Sequence, residues 1–363
     1  MNIIFIGQFV SFNEALSNKN YSQASNLFQN KFIKYTNPRL AISIIPIFVN
    51  EERGFNYPDF STCFIYNRCL GQPHIFKKMK RILKDTIESL KIILSSKLND
   101  IWFYNLNKST FLIALYLKLF TNKRLFIIIA DYEYSKTNII KLITNTLIQN
   151  FDGAIVLNSN IKHKNRVVLP GIIEKNDIII NKCGVLTKTV LLSGSLGKTT
   201  GFEFALNYFS KKKQFNLIIS GKPYEYKENE FEDLLNKYVV PNKNINYLGL
   251  LPLDQYYKLF DSVDIALSFR DPYDTQHDFN FPSKILEYLM FGKMVISTKL
   301  YPDIDSNLYF YTEINESALD RTLTKIYKLS EEEIIEKREF IYNYIMANFT
   351  EDSLINAIKK VSK

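Results

Sequence analysis

The feature that most constrains this chain is an alternation sustained along it. Short β-branched and aromatic runs are each followed by a longer segment of helical period. That pattern argues for an α/β fold with parallel sheets. In the first half, strands are expected at 3–6, 41–48, 101–104, 125–130 and 153–157, with helices near 21–35, 75–97, 110–119 and 136–148. Val167-Val168-Leu169-Pro170-Gly171 then ends on a chain breaker. After a stretch of weak periodicity the alternation restarts. Strands are expected at 189–193, 215–220, 245–248, 264–268 and 294–297, and helices near 202–210, 228–239, 254–260 and 283–290. The tail from 316 reads as two or three helices, with Ser330-Glu331-Glu332-Glu333 an N-cap signature.

At about 150 residues per domain, 363 residues suggest two domains. The expected organisation is an N-terminal Rossmann-like domain at 1–170, a linker at 171–188 and a second Rossmann-like domain at 189–344. Two doubly wound domains of this kind face each other across a cleft. Ligands in such sheets sit beyond the carboxyl ends of the strands, so the loops there carry the candidate site.

Composition excludes several classes. Three cysteines (Cys63, Cys69, Cys183) without metal-type spacing rule out a disulfide scaffold or zinc ribbon, and three histidines argue against a metal centre. No apolar run reaches the roughly 20 residues of a spanning helix, and the opening Met1–Gly7 lacks a basic leader. A cytoplasmic protein is expected. The net charge of +9 is uneven: residues 1–170 hold 22 Lys and Arg against 10 Asp and Glu. Such an excess points to an anionic partner for that half.

Three stretches carry the chemistry. The segment 193–201, Ser-Gly-Ser-Leu-Gly-Lys-Thr-Thr-Gly, follows a strand and opens a helix, so amides around Gly194 and Ser195, with Lys198, could cradle phosphate. It is not a P-loop, because Leu192 stands where that motif requires glycine. The second stretch, 280–297, places Pro282 at a helix's first turn and Gly292 at its end. Ser283 and Lys284 at that helix start suit a diphosphate, and Glu287 one turn on suits a pair of ribose hydroxyls. The plain alternative is that Ser283 caps the helix and Glu287 pairs locally with Lys284. The third stretch is Asp131-Tyr132-Glu133 at the end of the strand 125–130, two carboxylates placed for a sugar hydroxyl or to cap the next helix. Gly7, Gln8, Tyr104 and Asn105 follow other strands and are expected to face the cleft.

The run P-S-K-x-x-E-Y-L-x-x-G-K-x-V-I-S at 282–297 resembles the donor-site helix of GT-B glycosyltransferases, in particular the large family four. The segment 193–201, the strand and turn 247–252 and the strand 262–268 are similar to that family's elements in the same order. The resemblance covers roughly 188–300. It implies a nucleotide-sugar donor, with Glu287 at the ribose, Ser283, Lys284, Gly194 and Ser195 near the diphosphate, and Gly249, Leu250 and Leu251 framing the base. It implies no cofactor and no metal, since amides and cationic side chains would neutralise the leaving diphosphate. Retention of configuration and a last helix, about 345–363, packing back on the first domain follow from the same resemblance. There are departures: Ser195 and Thr200 stand where the family often has Arg and Lys, Phe279 where it has an acid, and Ala130-Asp131 where many members have His-Asp. Arg270 is therefore included as a further diphosphate cation.

The expected reaction moves a sugar, with UDP-sugar the preferred donor, to a saccharide or lipid-linked acceptor in cell-surface polysaccharide synthesis. A nucleotide-sugar epimerase and a non-catalytic subunit of the same fold are the rivals. The basic helix 75–97, with Lys77, Lys78, Lys80, Arg81 and Lys84 on one side and Phe76, Met79, Ile82 and Leu83 on the other, reads either as a surface for an anionic membrane at the inner face of the cell or as a solvated helix with an ordinary core stripe, and nucleic acid is not expected.

Overall fold

The computed structural model describes residues 1–10, 23–44, 63–66, 75–130, 139–180, 183–274, 278–281 and 283–363. They form two compact units, Met1–Ile172 with Glu351–Lys363, and Ile173–Thr350.

In the first unit, the strands are β1 (Ile3–Gly7), β2 (Leu40–Ile44), β3 (Cys63–Tyr66), β4 (Asp100–Tyr104), β5 (Arg124–Ile129), β6 (Gly153–Val156) and β7 (Arg166–Val168). Among the described residues they build one sheet in the order β3-β2-β1-β4-β5-β6-β7, every pair parallel. The helices are α1 (Gln23–Thr36), α2 (Ile75–Ser95), α3 (Lys108–Phe120) and α4 (Ile139–Gln149). The central strands are apolar on both faces, as strands covered by helices on both sides must be. Trp102 and Phe126 stack across β4 and β5 at 4.9 Å, and Phe5 stacks on Phe32 of α1 at 4.7 Å. A capping box starts α3: Asn107 Oδ1 accepts from the Ser109 and Thr110 amides at 2.8 and 3.0 Å, and Thr110 Oγ1 accepts from the Asn107 amide.

The second unit carries β8 (Thr189–Leu196), β9 (Asn216–Pro223), β10 (Ile245–Tyr247), β11 (Ile265–Ser268), β12 (Met294–Ser297) and β13 (Tyr309–Tyr311). Its sheet runs β10-β9-β8-β11-β12-β13, again all parallel. Its helices are α5 (Phe202–Lys211), α6 (Glu228–Tyr238), α7 (Leu253–Lys258), α8 (Ser283–Met290), α9 (Glu316–Tyr327) and α10 (Glu331–Asn348). Ser330 and Glu333 close a capping box on α10. The last helix, α11 (Glu351–Val361), belongs to the first unit. Its Leu354, Ala357, Ile358 and Val361 join that unit's core, and Asn165 Nδ2 donates to the Val361 carbonyl at 2.9 Å.

Residues 173–188, expected as most of a linker, are instead packed into the second unit. The Ile179 amide donates to the Met290 carbonyl at 2.9 Å and the Thr187 amide to Asp264 Oδ2 at 2.8 Å. Arg338 of α10, 2 % exposed, completes this packing. It bonds the Cys183 carbonyl, the Gly292 carbonyl at 3.2 Å and Asp264 Oδ1 at 2.7 Å. Apolar periodicity is weak there because backbone and ionic hydrogen bonds secure the segment.

Three short strands escaped the sequence reading, β3, β7 and β13, of four, three and three residues. Each lies at the edge of its sheet.

Candidate functional site

The largest departure from the sequence reading shapes the site. Ser193–Leu196 is not loop: β8 continues through it, pairing with β9 out to Leu196 opposite Pro223. The turn into α5 begins only at Gly197, followed by a single 3-10 turn at Lys198–Thr200. Two glycines make this extension possible. Gly194 and Gly221 are register partners, with φ of +116° and +155°, backbone that side-chain-bearing residues rarely adopt. The row continues to β10: the Gly221 amide donates to the Gly249 carbonyl at 2.9 Å, and Ser220 Oγ to the same carbonyl at 3.1 Å. Gly194, Gly221 and Gly249 thus form a floor of bare backbone at the carboxyl ends of three adjacent strands. Gly221 was missed in the sequence; its signal was a glycine closing the apolar run 215–220.

Beside this floor stands α8. The Lys284 side chain lies over Gly194, its Cε 3.5 Å from where a Cβ would be. Lys284 Nζ donates to Glu287 Oε2 at 2.5 Å and to Tyr256 Oη at 3.2 Å, and sits 4.5 Å above the Tyr256 ring. Tyr256 Oη donates to Glu287 Oε2 at 3.1 Å. With its one proton spent there, Tyr256 must accept from Ser193 Oγ, 2.7 Å away, and Ser193 in turn accepts from Tyr288 Oη at 3.0 Å. The result is a directed chain, Tyr288 to Ser193 to Tyr256 to Glu287, ending on a carboxylate. Burial, and then the Glu287 charge, push the Tyr256 phenol well above its ordinary value. Burial raises Tyr288 likewise, so both phenols stay neutral and act as donors. The local pairing of Lys284 with Glu287 is realised here, both side chains partly exposed, beside the glycine over which Lys284 lies. Tyr256 and Tyr288 were not singled out in the sequence.

Other expected donor residues are distributed differently. Ser283 is the exposed first residue of α8. The turn at Gly249, whose φ is +66°, leaves Leu250 exposed and Leu251 half-buried beside the floor. Ser195 extends β8 and its backbone faces Lys222 of β9, so it is not the loop amide that was expected. Lys198 is turned to α6, 3.7 Å from Glu230 and over the Tyr226 ring at 5.5 Å. Arg270 follows β11, its backbone exchanging hydrogen bonds with Thr298 Oγ1 at 2.8 and 2.6 Å. Its positive charge acts on Tyr288 and Tyr301.

In the first unit, Gly7 and Gln8 are held by Gln29 of α1. Gln29 Oε1 accepts from the Gln8 amide at 2.8 Å while Gln29 Nε2 donates to the Gln8 carbonyl at 2.9 Å. A Cβ on Gly7 would lie 2.2 Å from Gln29 Oε1, so this glycine makes room for a side chain of its own chain. Tyr104 is 5 % exposed and packs 5.8 Å from Phe28, a core residue and not a cleft residue. The reason is its place as the last inward position of β4. Asn105, at φ +47°, donates its amide to the Ile128 carbonyl and accepts the Ala130 amide on Oδ1, both at 2.9 Å. It ties β4 to the end of β5 just before Asp131. Asp131, Tyr132, Glu133 and Pro282 lie outside the described residues. Among the described residues, no cluster of His, Cys, Asp and Glu is arranged to hold a metal ion, and no helix is long and apolar enough to cross a membrane.

No protein-family model matches the chain, and no curated protein matches it significantly. Solved structures do. Sucrose-phosphate synthase from Thermosynechococcus elongatus is 10 % identical with a TM-score of 0.73, over 100 % of this chain and 98 % of that one. HepE from Anabaena, solved in complex with UDP, is 12 % identical with a TM-score of 0.67, over 99 % of each chain. The lipopolysaccharide outer core galactosyltransferase WaaB is 14 % identical with a TM-score of 0.64, over 99 % of each. At such identities the likeness speaks for architecture alone. The chain has the GT-B fold, built of two doubly wound, Rossmann-like α/β units.

Proposed function

We propose that this protein is a glycosyltransferase that takes its sugar from a nucleoside diphosphate sugar, with UDP the preferred nucleotide, and passes it to a saccharide or lipid-linked acceptor of cell-surface polysaccharide synthesis. The observation that carries the reading is the Lys284–Glu287 pair at the start of α8, with Lys284 lying over Gly194 of the glycine floor. Bare backbone admits a ligand closely, an ammonium meets a diphosphate, and a carboxylate one turn along accepts from two ribose hydroxyls. The architectural neighbours agree in kind, since HepE was solved with UDP and with UDP-glucose.

In the reaction, the bond from the sugar's anomeric carbon to the β-phosphate oxygen breaks and the acceptor oxygen bonds that carbon. The acceptor loses its proton and the nucleoside diphosphate leaves. The charge growing on the leaving group would be met by Lys284, with Arg270 from the loop after β11, which favours a metal-independent reaction. With retention, the departing diphosphate takes the acceptor proton; with inversion, Asp131 or Glu133 would serve as base.

A second reading, a non-catalytic subunit that binds without turnover, is favoured by the engagement of Lys198 with Glu230. Calorimetry with UDP, GDP, CMP and ADP on the wild type and Glu287→Ala tests the donor site. Selective UDP binding lost in the variant supports it, and binding of none of the four overturns it. Incubation with UDP-sugars then separates the readings. Release of UDP on addition of a saccharide acceptor supports the enzyme, whereas binding without release supports the subunit.

A further inference from the structure

The three helices α2, α3 and α4 connect β3 to β4, β4 to β5 and β5 to β6, all in the same direction along the first sheet. Right-handed crossovers therefore place all three on one face. Apart from Met1, every exposed large apolar side chain described in the first unit lies on these three helices. On α2 they are Met79, Leu83, Ile87 and Leu94. On α3 they are Tyr116, Leu119 (64 % exposed) and Phe120 (69 % exposed), the two rings 5.0 Å apart. On α4 they are Ile139 (72 % exposed), Leu142 and Ile143.

The amphipathicity of α2 is rotated from the sequence expectation, in which its apolar residues face away from its cations. Asp85, Thr86 and Ser89 are buried alongside Leu90 and Ile93, while Leu83 and Ile87 are more than half exposed. At about 100° per residue, Leu83, Leu94 and Ile87 span an arc of about 40°, and Lys80, Lys91 and Lys84 fill the next arc of about 40°. All three lysines are exposed. Lys123 donates to the Leu98 carbonyl at 2.5 Å and joins the carboxyl ends of α2 and α3.

We propose that this face docks on an anionic lipid bilayer, apolar side chains entering the acyl boundary and lysines resting at the headgroups. The charge argues for lipid over a second copy of the chain, because self-association would press lysine rows against each other. The proposal is independent of the donor site.

Flotation of the full chain with vesicles tests it, comparing pure phosphatidylcholine with phosphatidylcholine containing phosphatidylglycerol. Binding is expected only to the anionic vesicles and to weaken at high salt. Lys80→Ala/Lys84→Ala should lower it about 30-fold, at roughly 1 kcal/mol per lysine. Leu119→Ser/Phe120→Ser should lower it at least about tenfold. Both variants alter exposed side chains, and unchanged circular dichroism and urea unfolding midpoint would show them folded. Equal binding to both vesicle types, no binding, or a concentration-dependent dimer relieved by Leu119→Ser/Phe120→Ser would each overturn the proposal.

Discussion

Gly194 and Gly221 face each other across β8 and β9, and a Cβ added to Gly221 would lie 1.9 Å from the Gly194 carbonyl oxygen. Backbone, unlike a flexible side chain, cannot step aside. Gly221→Ala should therefore cost on the order of 3 kcal/mol, from the clash and from the φ of +155°. Gly249 is the control: a Cβ there meets nothing within 4 Å. Its Ala variant should cost only about 1 kcal/mol of left-handed strain. Urea unfolding of the two variants checks the difference.

Tyr256 sits at the centre of the polar chain that ends on Glu287. Tyr256→Phe takes an acceptor from Ser193 and a donor from Glu287, and should cost about 1–3 kcal/mol of stability. Glu287 then swings more freely, so UDP affinity should fall severalfold. Tyr288→Phe, at the far end of the chain, should lose about 1 kcal/mol and leave UDP affinity within about twofold. Calorimetry on the pair distinguishes positioning from general destabilisation.

Arg338 is the buried cation that Asp264 balances at 2.7 Å. Arg338→Met strands that carboxylate and should destabilise the second unit by about 3–5 kcal/mol. Adding Asp264→Asn should recover part of the loss, which a double-mutant cycle of unfolding measurements would read.

Lys293 donates to the Phe260 carbonyl at 2.7 Å, and burial pushes its ammonium down to about 8 from the ordinary 10.5. Between those values the unfolded chain holds more protons than the folded one, so stability rises with pH across that window. The full rise from this group is about 3 kcal/mol. Unfolding curves from pH 8 to 10 should show a steeper rise for the wild type than for Lys293→Met.

Much of this architecture was legible because burial on both faces leaves an unbroken apolar run. The residues Met294–Ser297 and Ser283–Met290 have the bounds that periodicity assigned them. What failed did so for physical reasons. Edge strands such as β7 and β13 bury too little to pattern three residues. At 193–196 one glycine and two serines carry turn chemistry, yet ladder hydrogen bonds to β9 outweigh it, a nonlocal effect no single segment contains. Glu287 and Lys284 could be found from their place at a helix start. Tyr256 could not, because its partners are 63 residues before it and 31 after it.

The amide of Gln29, which both gives to and receives from the backbone of Gln8, is a neutral clasp. An amide carries no charge to lose or gain, so acid, base and salt leave the turn after β1 in the same form. A carboxylate in its place could receive but not give, and the turn would then hold only in acid, where the added proton restores the missing donor. One nitrogen in place of one oxygen makes the opening turn of the first unit indifferent to the medium around it.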